Sequence, residues 1–253
     1  MILTNSRKMA FCKLTSIILL LFSTWALSAE DWVAKAMKHY QLRENKDDLQ
    51  KAIQYLEQAL KEDPKNYEAA WRLAKARWYE GNFGGASDRK SVFAKGVEAG
   101  KLTVEINPSG CLGHFWYGVN VAMQAETSGM FEALGLVDII KDEMKRTSEI
   151  DPNCECGGPQ RVLGKLYAKI PFFKGGSKSK AISYLNESLS LCPSDTQSRI
   201  FLAEVYIDDG KKGLAMQQLK LVLKQEPDPD WVPETRANQK IAEKMLSELK
   251  VQK

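Results

Sequence analysis

The apolar residues of this chain recur every three or four positions in long runs, and short stretches that contain a proline separate these runs. Such spacing places apolar side chains on one face of an α-helix. Five runs share an ending in which a proline follows small and bulky residues, and three copies keep it in full: Ala52-Leu56-Ala59-Pro64, Ala181-Leu185-Ser188-Pro193 and Ala215-Leu219-Val222-Pro227. No stretch shows strand alternation flanked by hairpin turns. The pattern predicts an all-α chain of five repeats.

The first half of each repeat identifies the type of repeat. The positions of W-x2-L-G-x2-Y, the opening of the tetratricopeptide (TPR) consensus, are taken by Trp71, Ala74 and Trp78, by Leu163, Gly164 and Tyr167, and by Leu202, Ala203 and Tyr206. Of the spacings between successive repeat-ending prolines, only the last equals the TPR period of about 34 residues. We therefore expect a TPR-like array of about five helical hairpins. The extra residues fall between the paired helices, as long turns or as extra helical turns, at Gly81–Ser87, Glu126–Gly129 and Pro171–Ser177.

The C-terminal residues predict one further helix. Six apolar residues there form a single stripe at helical spacing: Ala237, Ile241, Ala242, Met245, Leu246 and Leu249. Because a terminal repeat must cover its open apolar side, this segment is predicted to be a capping helix.

The N-terminus has the pattern of an export signal. Arg7, Lys8 and Lys13 precede an uncharged stretch, 14–29, which ends in small residues where a signal peptidase could cut. This stretch is shorter than the roughly 20 residues that span a bilayer as a helix. We predict a signal peptide at 1–29, a helical repeat domain at 30–253 and a periplasmic or otherwise exported location. The alternative is an uncleaved N-terminal anchor.

Charge and motifs point away from catalysis. The formal charge of +4 falls to +1 without the three basic residues of the signal, so a nucleic-acid partner is not expected. The chain has two histidines, neither at metal-ligand spacing, and it contains no P-loop, GxSxG or dinucleotide-binding motif. We therefore expect a binding protein without a metal or cofactor, and not an enzyme.

Four cysteines remain after the signal: Cys111, Cys154, Cys156 and Cys192. Each lies at the start of a first helix or at the end of a second helix, and these ends share one edge of a hairpin stack. In an oxidising compartment this favours pairing of Cys111 with Cys154 or Cys156, and of Cys192 with the remaining one. A bond between Cys154 and Cys156 would be strained. The alternative is four unpaired, buried thiols.

Two segments carry a family resemblance, GHFWYGVNVA at Gly113–Ala122 and the G-P-x-x-V-L-G-x-x-Y helix with its P-x-x-x-G-G loop within Asp151–Leu185. Their combination resembles the T component of TRAP transporters, a periplasmic TPR protein. It is also similar to regulator-of-microtubule-dynamics proteins. The first resemblance implies a hydrophobic groove and, as partner, the extracytoplasmic solute-binding component of a transporter.

The first helix of each TPR hairpin lines the concave face of the array. In the predicted register this face carries Arg72, Ala76, Tyr79, Phe115, Val119, Met123, Arg161 and Lys165. An apolar centre between arginines would suit a hydrophobic organic acid. The alternatives are that the aromatic residues belong to the hairpin core and that the groove holds a peptide or partner protein. A homo-oligomer is compatible with the sequence.

Overall fold

The computed structural model describes residues 31–251. This part of the chain is helical, without strands, and forms five hairpins followed by one helix. The hairpins pair residues 31–40 (α1) with Lys46–Glu62 (α2), Tyr67–Phe83 (α3) with Arg89–Ile106 (α4), Cys111–Glu126 (α5) with Met130–Ile150 (α6), Gly158–Lys169 (α7) with Lys178–Leu191 (α8), and Thr196–Asp208 (α9) with Lys212–Lys224 (α10); the last helix is Val232–Val251 (α11). The predicted all-α hairpin array is confirmed.

Helix boundaries follow from capping residues. Side chains at the N-cap accept hydrogen bonds from free backbone N–H groups of the first turn, for example Asn45 before α2, Asn66 before α3 and Asp195 before α9. Such caps are worth about 1 kcal/mol each. The second helix of each hairpin ends two or three residues before a repeat-ending proline, which could not continue a helix.

The extra residues of the longer repeats are accommodated in two ways. In the second and third hairpins the helices are long, up to 21 residues in α6, and the turns remain short. In the fourth hairpin the extra residues form a loop with a 3-10 turn, Phe172–Lys174, which leads to Gly175 at φ 92°. Long insertions between helices are thus limited to the fourth hairpin.

Small residues allow the paired helices to approach closely. A Cβ atom on Gly164 of α7 would lie 2.6 Å from Cγ of Leu185 in α8, and one on Gly118 would lie 2.5 Å from Cε of Met144. Asn120 is fully buried and donates hydrogen bonds to the carbonyl groups of Ala74 (3.0 Å) and Trp116 (2.8 Å), which ties α5 to α3. The helix α11 covers the end of the array with Ala242, Leu246 and Leu249, as predicted for a cap.

A buried ion pair joins the C-terminal segment to the first hairpin. Arg43, in the turn after α1, donates to Glu234 of α11 at 3.1 and 2.7 Å and to the carbonyl of Asp230 at 2.7 Å. Its guanidinium lies over the rings of Tyr40 and Tyr79. Only 4% of Arg43 and 5% of Glu234 are exposed. We call this contact the clasp, because it joins residues 191 positions apart.

Among residues 31–251, no helix is long and apolar enough to cross a membrane. The predicted signal peptide at 1–29 lies outside the described residues.

Candidate functional site

The concave side of the array encloses a groove of about 1090 Å³. One wall consists of the first helices α5, α7 and α9, together with the last turn of α3 and one face of the second helix α6. The opposite wall is the segment 225–238, which the clasp holds in place. The groove is thus bounded by parts of the chain that are far apart in sequence.

Aromatic rings form the floor of the groove. The ring centroids of Trp78 and Trp116 are 5.4 Å apart, and Phe115 packs edge-on against Trp116 at 5.0 Å. Trp231, from the C-terminal segment, meets Trp78 at 6.5 Å, and Phe83 meets Trp78 at 5.8 Å. Trp78, Phe83 and Trp231 are partly exposed and present the apolar surface. Trp116 and Phe115, 1% and 2% exposed, are buried behind it and support it.

A buried polar contact lies beneath this floor. Glu155 accepts a hydrogen bond from Nε1 of Trp116 at 3.0 Å and pairs with Nζ of Lys75 at 3.4 Å. The same ammonium lies 4.1 Å from the ring of Trp231. Burial lowers the pKa of Lys75, and the neighbouring carboxylate of Glu155 opposes that effect. This contact connects α3, α5 and the C-terminal segment.

Two disulfides hold the loop that carries Glu155. Cys111 is bonded to Cys154 and Cys156 to Cys192, with Cα–Cα distances of 6.3 and 5.3 Å. Both pairs are among those that the hairpin topology favours. Glu155 and Cys156 have φ of 49° and 61°, a left-handed conformation that costs about 1–2 kcal/mol per residue. The covalent bonds on both sides keep this strained turn, and therefore the Glu155 carboxylate, against the floor.

The charged side chains of the groove are mostly acidic. Eight acidic and three basic residues line it: Glu126, Glu155, Asp195, Glu204, Glu226, Asp228, Asp230 and Glu234, with Arg161, Lys165 and Lys169. Two of the bases form ion pairs within the wall. Arg161 binds Asp195 at 2.9 Å, and Lys165 binds Glu126 at 2.8 Å. A bound anion would have to compete with these carboxylates.

Comparisons with known proteins agree with this architecture. Residues 35–155 match the family model "Regulator of microtubule dynamics protein 1-3". The chain is 23% identical to regulator of microtubule dynamics protein 1 of Bos taurus over 166 residues, which are 58% of this chain. It spans about half, 52%, of the length of that relative.

Solved structures with a similar fold include a thermophilic TPR protein of Thermus thermophilus and the PilF protein of Pseudomonas aeruginosa. The first has a TM-score of 0.65 at 20% identity, over 85% of this chain and 98% of that one. The second has a TM-score of 0.58 at 14% identity, over 89% and 93%. The fold is that of TPR proteins. The likeness to the TRAP T component rests on the two sequence segments alone.

Five of the eight predicted groove residues lie at the groove: Arg161 and Lys165 are partly exposed in its wall, and Phe115, Val119 and Met123 lie at its base but are largely buried. The three predicted on α3 do not, and this part of the prediction is corrected. Arg72 contacts Sδ of Met37 in α1 at 3.0 Å, and Ala76 and Tyr79 are buried in the core. Because α1 covers this face of α3, the groove begins only at its last turns.

The sequence-based prediction missed four important groove residues: Trp78, Glu155, Glu204 and Trp231. Trp78 lies one position from the predicted Tyr79, so a one-residue change of register would have found it. Glu155 lies between two cysteines, which was a usable signal. Trp231 comes from the segment before the capping helix, and no local pattern placed it at the groove.

His114, which adjoins the aromatic motif, is not part of the groove lining. Its ring nitrogens lie 2.7 Å from Oε2 of Glu143 and 2.9 Å from the carbonyl oxygen of Pro108, and 7% of the residue is exposed. Both nitrogens therefore have partners within the fold. Within residues 31–251 no three histidine, cysteine or acidic side chains are grouped so that they could hold a metal ion.

Proposed function

We propose that this chain is an exported, non-enzymatic TPR scaffold that binds a segment of a partner protein in its groove. The groove itself is the observation that carries the proposal. It runs past the helices of consecutive hairpins, has an aromatic floor and a mostly apolar lining, and carries charged side chains along its walls. Helical repeat arrays use such extended concave surfaces for binding.

The dimensions and charge of the groove favour a polypeptide over a small organic acid. Pockets for drug-sized ligands measure about 300–1,000 Å³, and the volume of about 1090 Å³ is slightly above that range. The guanidinium of Arg161, which would hold a carboxylate, is already bound to Asp195. An organic acid would therefore displace an existing ion pair and enter a groove with surplus negative charge.

Export is supported by the pattern of residues 1–29, and two disulfides suit an oxidising compartment. The solute-binding component of a TRAP-type transporter is a second candidate partner. It is favoured by the positions of the two segments that resemble the T component: both contribute to the groove, through Phe115 and Val119 in one and through Glu155 and Arg161 in the other.

Site-specific photo-crosslinking in the exporting cell tests this proposal. A photoreactive amino acid is placed at Gln197 or Lys169 in the groove and, as a control, at Lys101, exposed on α4. We expect discrete polypeptide adducts at the two groove positions and none at Lys101. The adduct at Gln197 should disappear when Ala122→Trp fills the groove.

Native mass spectrometry of the purified protein, before and after organic extraction, tests the organic-acid alternative. A single small acid that is lost on extraction, with no polypeptide adduct at either groove position, would refute the proposal. If the adduct is the solute-binding component of a transporter, the second candidate partner is correct.

A further inference from the structure

The groove contains more negative charge than the fold neutralises. Four of its carboxyl groups have no lysine, arginine or histidine nitrogen within 4 Å among residues 31–251: Glu204, Glu226, Asp228 and Asp230. On the same criterion, Lys169 is the one groove base in the described chain without an ion pair. The groove therefore has three more unpaired acids than unpaired bases.

Glu204 is the one of these four acids that is partly buried. It lies on α9, one turn after Phe201. Nζ of Lys165 lies 4.5 Å from the ring of Phe201, but this lysine is bound to Glu126. Burial raises the pKa of the Glu204 carboxyl, against the lowering effect of Lys169 and Lys165. A desolvated carboxylate without a direct counter-ion costs stability, so a cationic group bound beside Glu204 would stabilise its charged form.

The other three acids lie on the opposite wall, in the sequence Glu226-Pro227-Asp228-Pro229-Asp230. The prolines restrict the backbone of this stretch. The backbone carbonyl of Asp230 is bound by Arg43, so the clasp fixes the stretch at the edge of the groove. The side chains of these three acids are exposed. The aromatic floor thus lies between an acidic side chain on α9 and an acidic stretch on the facing wall.

We propose that the occupant of the groove is a polypeptide segment in which lysine or arginine residues alternate with apolar or aromatic ones. This inference rests on the proposed function and names the chemistry of the partner. Apolar side chains of the segment would cover the rings of Trp78 and Trp231, which are partly exposed. Its cationic groups would reach Glu204 on one wall and the 226–230 stretch on the other, as charge complementarity requires.

The inference is tested by selecting peptides from an unbiased phage library of random dodecapeptides. The target is the disulfide-bonded protein that begins at residue 30. Some selected peptides should lose binding when Ala122→Trp fills the groove. We expect these groove-dependent peptides to be enriched in lysine or arginine next to leucine, phenylalanine or tryptophan. For one such synthetic peptide, Glu204→Gln/Glu226→Gln should weaken binding by about 3–10-fold, as expected for two partly solvated charge pairs. Raising the salt concentration should weaken it as well.

The matched control is Glu105→Gln/Glu243→Gln, which removes two exposed carboxylates that do not line the groove. Its affinity should equal that of the wild type. Groove-dependent peptides that are neutral or acidic, or equal losses in both double variants, would overturn the charge inference while the proposed function stands. If no selected peptide depends on the groove, both fail.

Discussion

The clasp gives the sharpest stability prediction, because a single guanidinium holds the two ends of the array together. Arg43→Met keeps most of the length of the side chain and removes its charge. The substitution deletes four hydrogen bonds, two to Glu234 and one each to the carbonyl groups of Asp230 and Tyr40. It also leaves the carboxylate of Glu234, 5% exposed, without its counter-ion.

Breaking a buried pair from one side costs about 3–5 kcal/mol, whereas replacing both partners with apolar residues is often neutral. We therefore expect Arg43→Met to lower the free energy of unfolding by about 3–5 kcal/mol. Arg43→Met/Glu234→Met should recover most of that loss. Urea unfolding followed by tryptophan fluorescence measures both free energies. Because Trp231 lies beside the clasp, the fluorescence also reports changes at the clasp itself.

A second ion pair supplies the control. Arg236 and Glu44 join the same two parts of the chain at 3.4 Å, but their side chains are 59% and 56% exposed. An exposed pair contributes about 0–1 kcal/mol, so Arg236→Met should change stability little. If Arg43→Met costs less than about 1 kcal/mol, or no more than Arg236→Met, the clasp does not hold the C-terminal segment and the argument from burial is refuted.

Three further predictions follow from the packing, the disulfides and the groove charge. Gly164→Ala should lower the free energy of unfolding by about 1–3 kcal/mol, because the added methyl group overpacks the contact of α7 with α8. The control Gly213→Ala adds its methyl group in open space and should raise the free energy of unfolding by up to about 1 kcal/mol. Equal shifts in melting temperature for the two variants would contradict the close contact of α7 with α8. Replacing Cys156 and Cys192 together by serine should cost about 2–4 kcal/mol in urea unfolding, and four free thiols in the native exported protein would contradict the pairing. Because burial raises the folded-state pKa of Glu204, ionisation of this carboxyl lowers the stability of the fold as pH rises from the ordinary carboxyl range through that pKa. Glu204→Gln should therefore be more stable than wild type at pH 7 and equal to it near pH 3. An equal difference at both pH values would contradict the burial of this carboxyl.

The repeat ends and the cysteine edge were predictable because they depend on local spacing and on topology that all TPR hairpins share. The residue pattern from Ala52 to Pro64 recurs in full in three of the five copies, and each of these copies marks the end of a second helix in the structure. The cysteine positions needed only the statement that helix ends of one hairpin stack lie on the same edge. The contacts of Gly164 followed from the consensus for the same reason.

The register of α3 was not predictable in this way, because it depends on what covers each face of the helix. Tyr79 and Trp78 are both large and aromatic, and either could have faced the groove. The structure buries Tyr79 at 3% exposure between Tyr40 and Phe83 and leaves Trp78 on the groove floor. The first hairpin packs over the face of α3 that carries Tyr79, and this contact between helices cannot be read from the local sequence of α3.

The charge of the groove is a tertiary property as well, and it determines which partner fits. Along the sequence, Arg161 has the pattern of a free cation that suits an organic acid. In the folded chain Asp195, 34 residues later, neutralises it. The clasp also places Asp228 and Asp230 on the wall opposite α9, although the sequence gives no sign that they approach it. The clasp brings acidic residues to the groove, and ion pairs within the fold neutralise two of its basic residues. The groove that the sequence suggested for an anion therefore has a surface that suits a cationic partner.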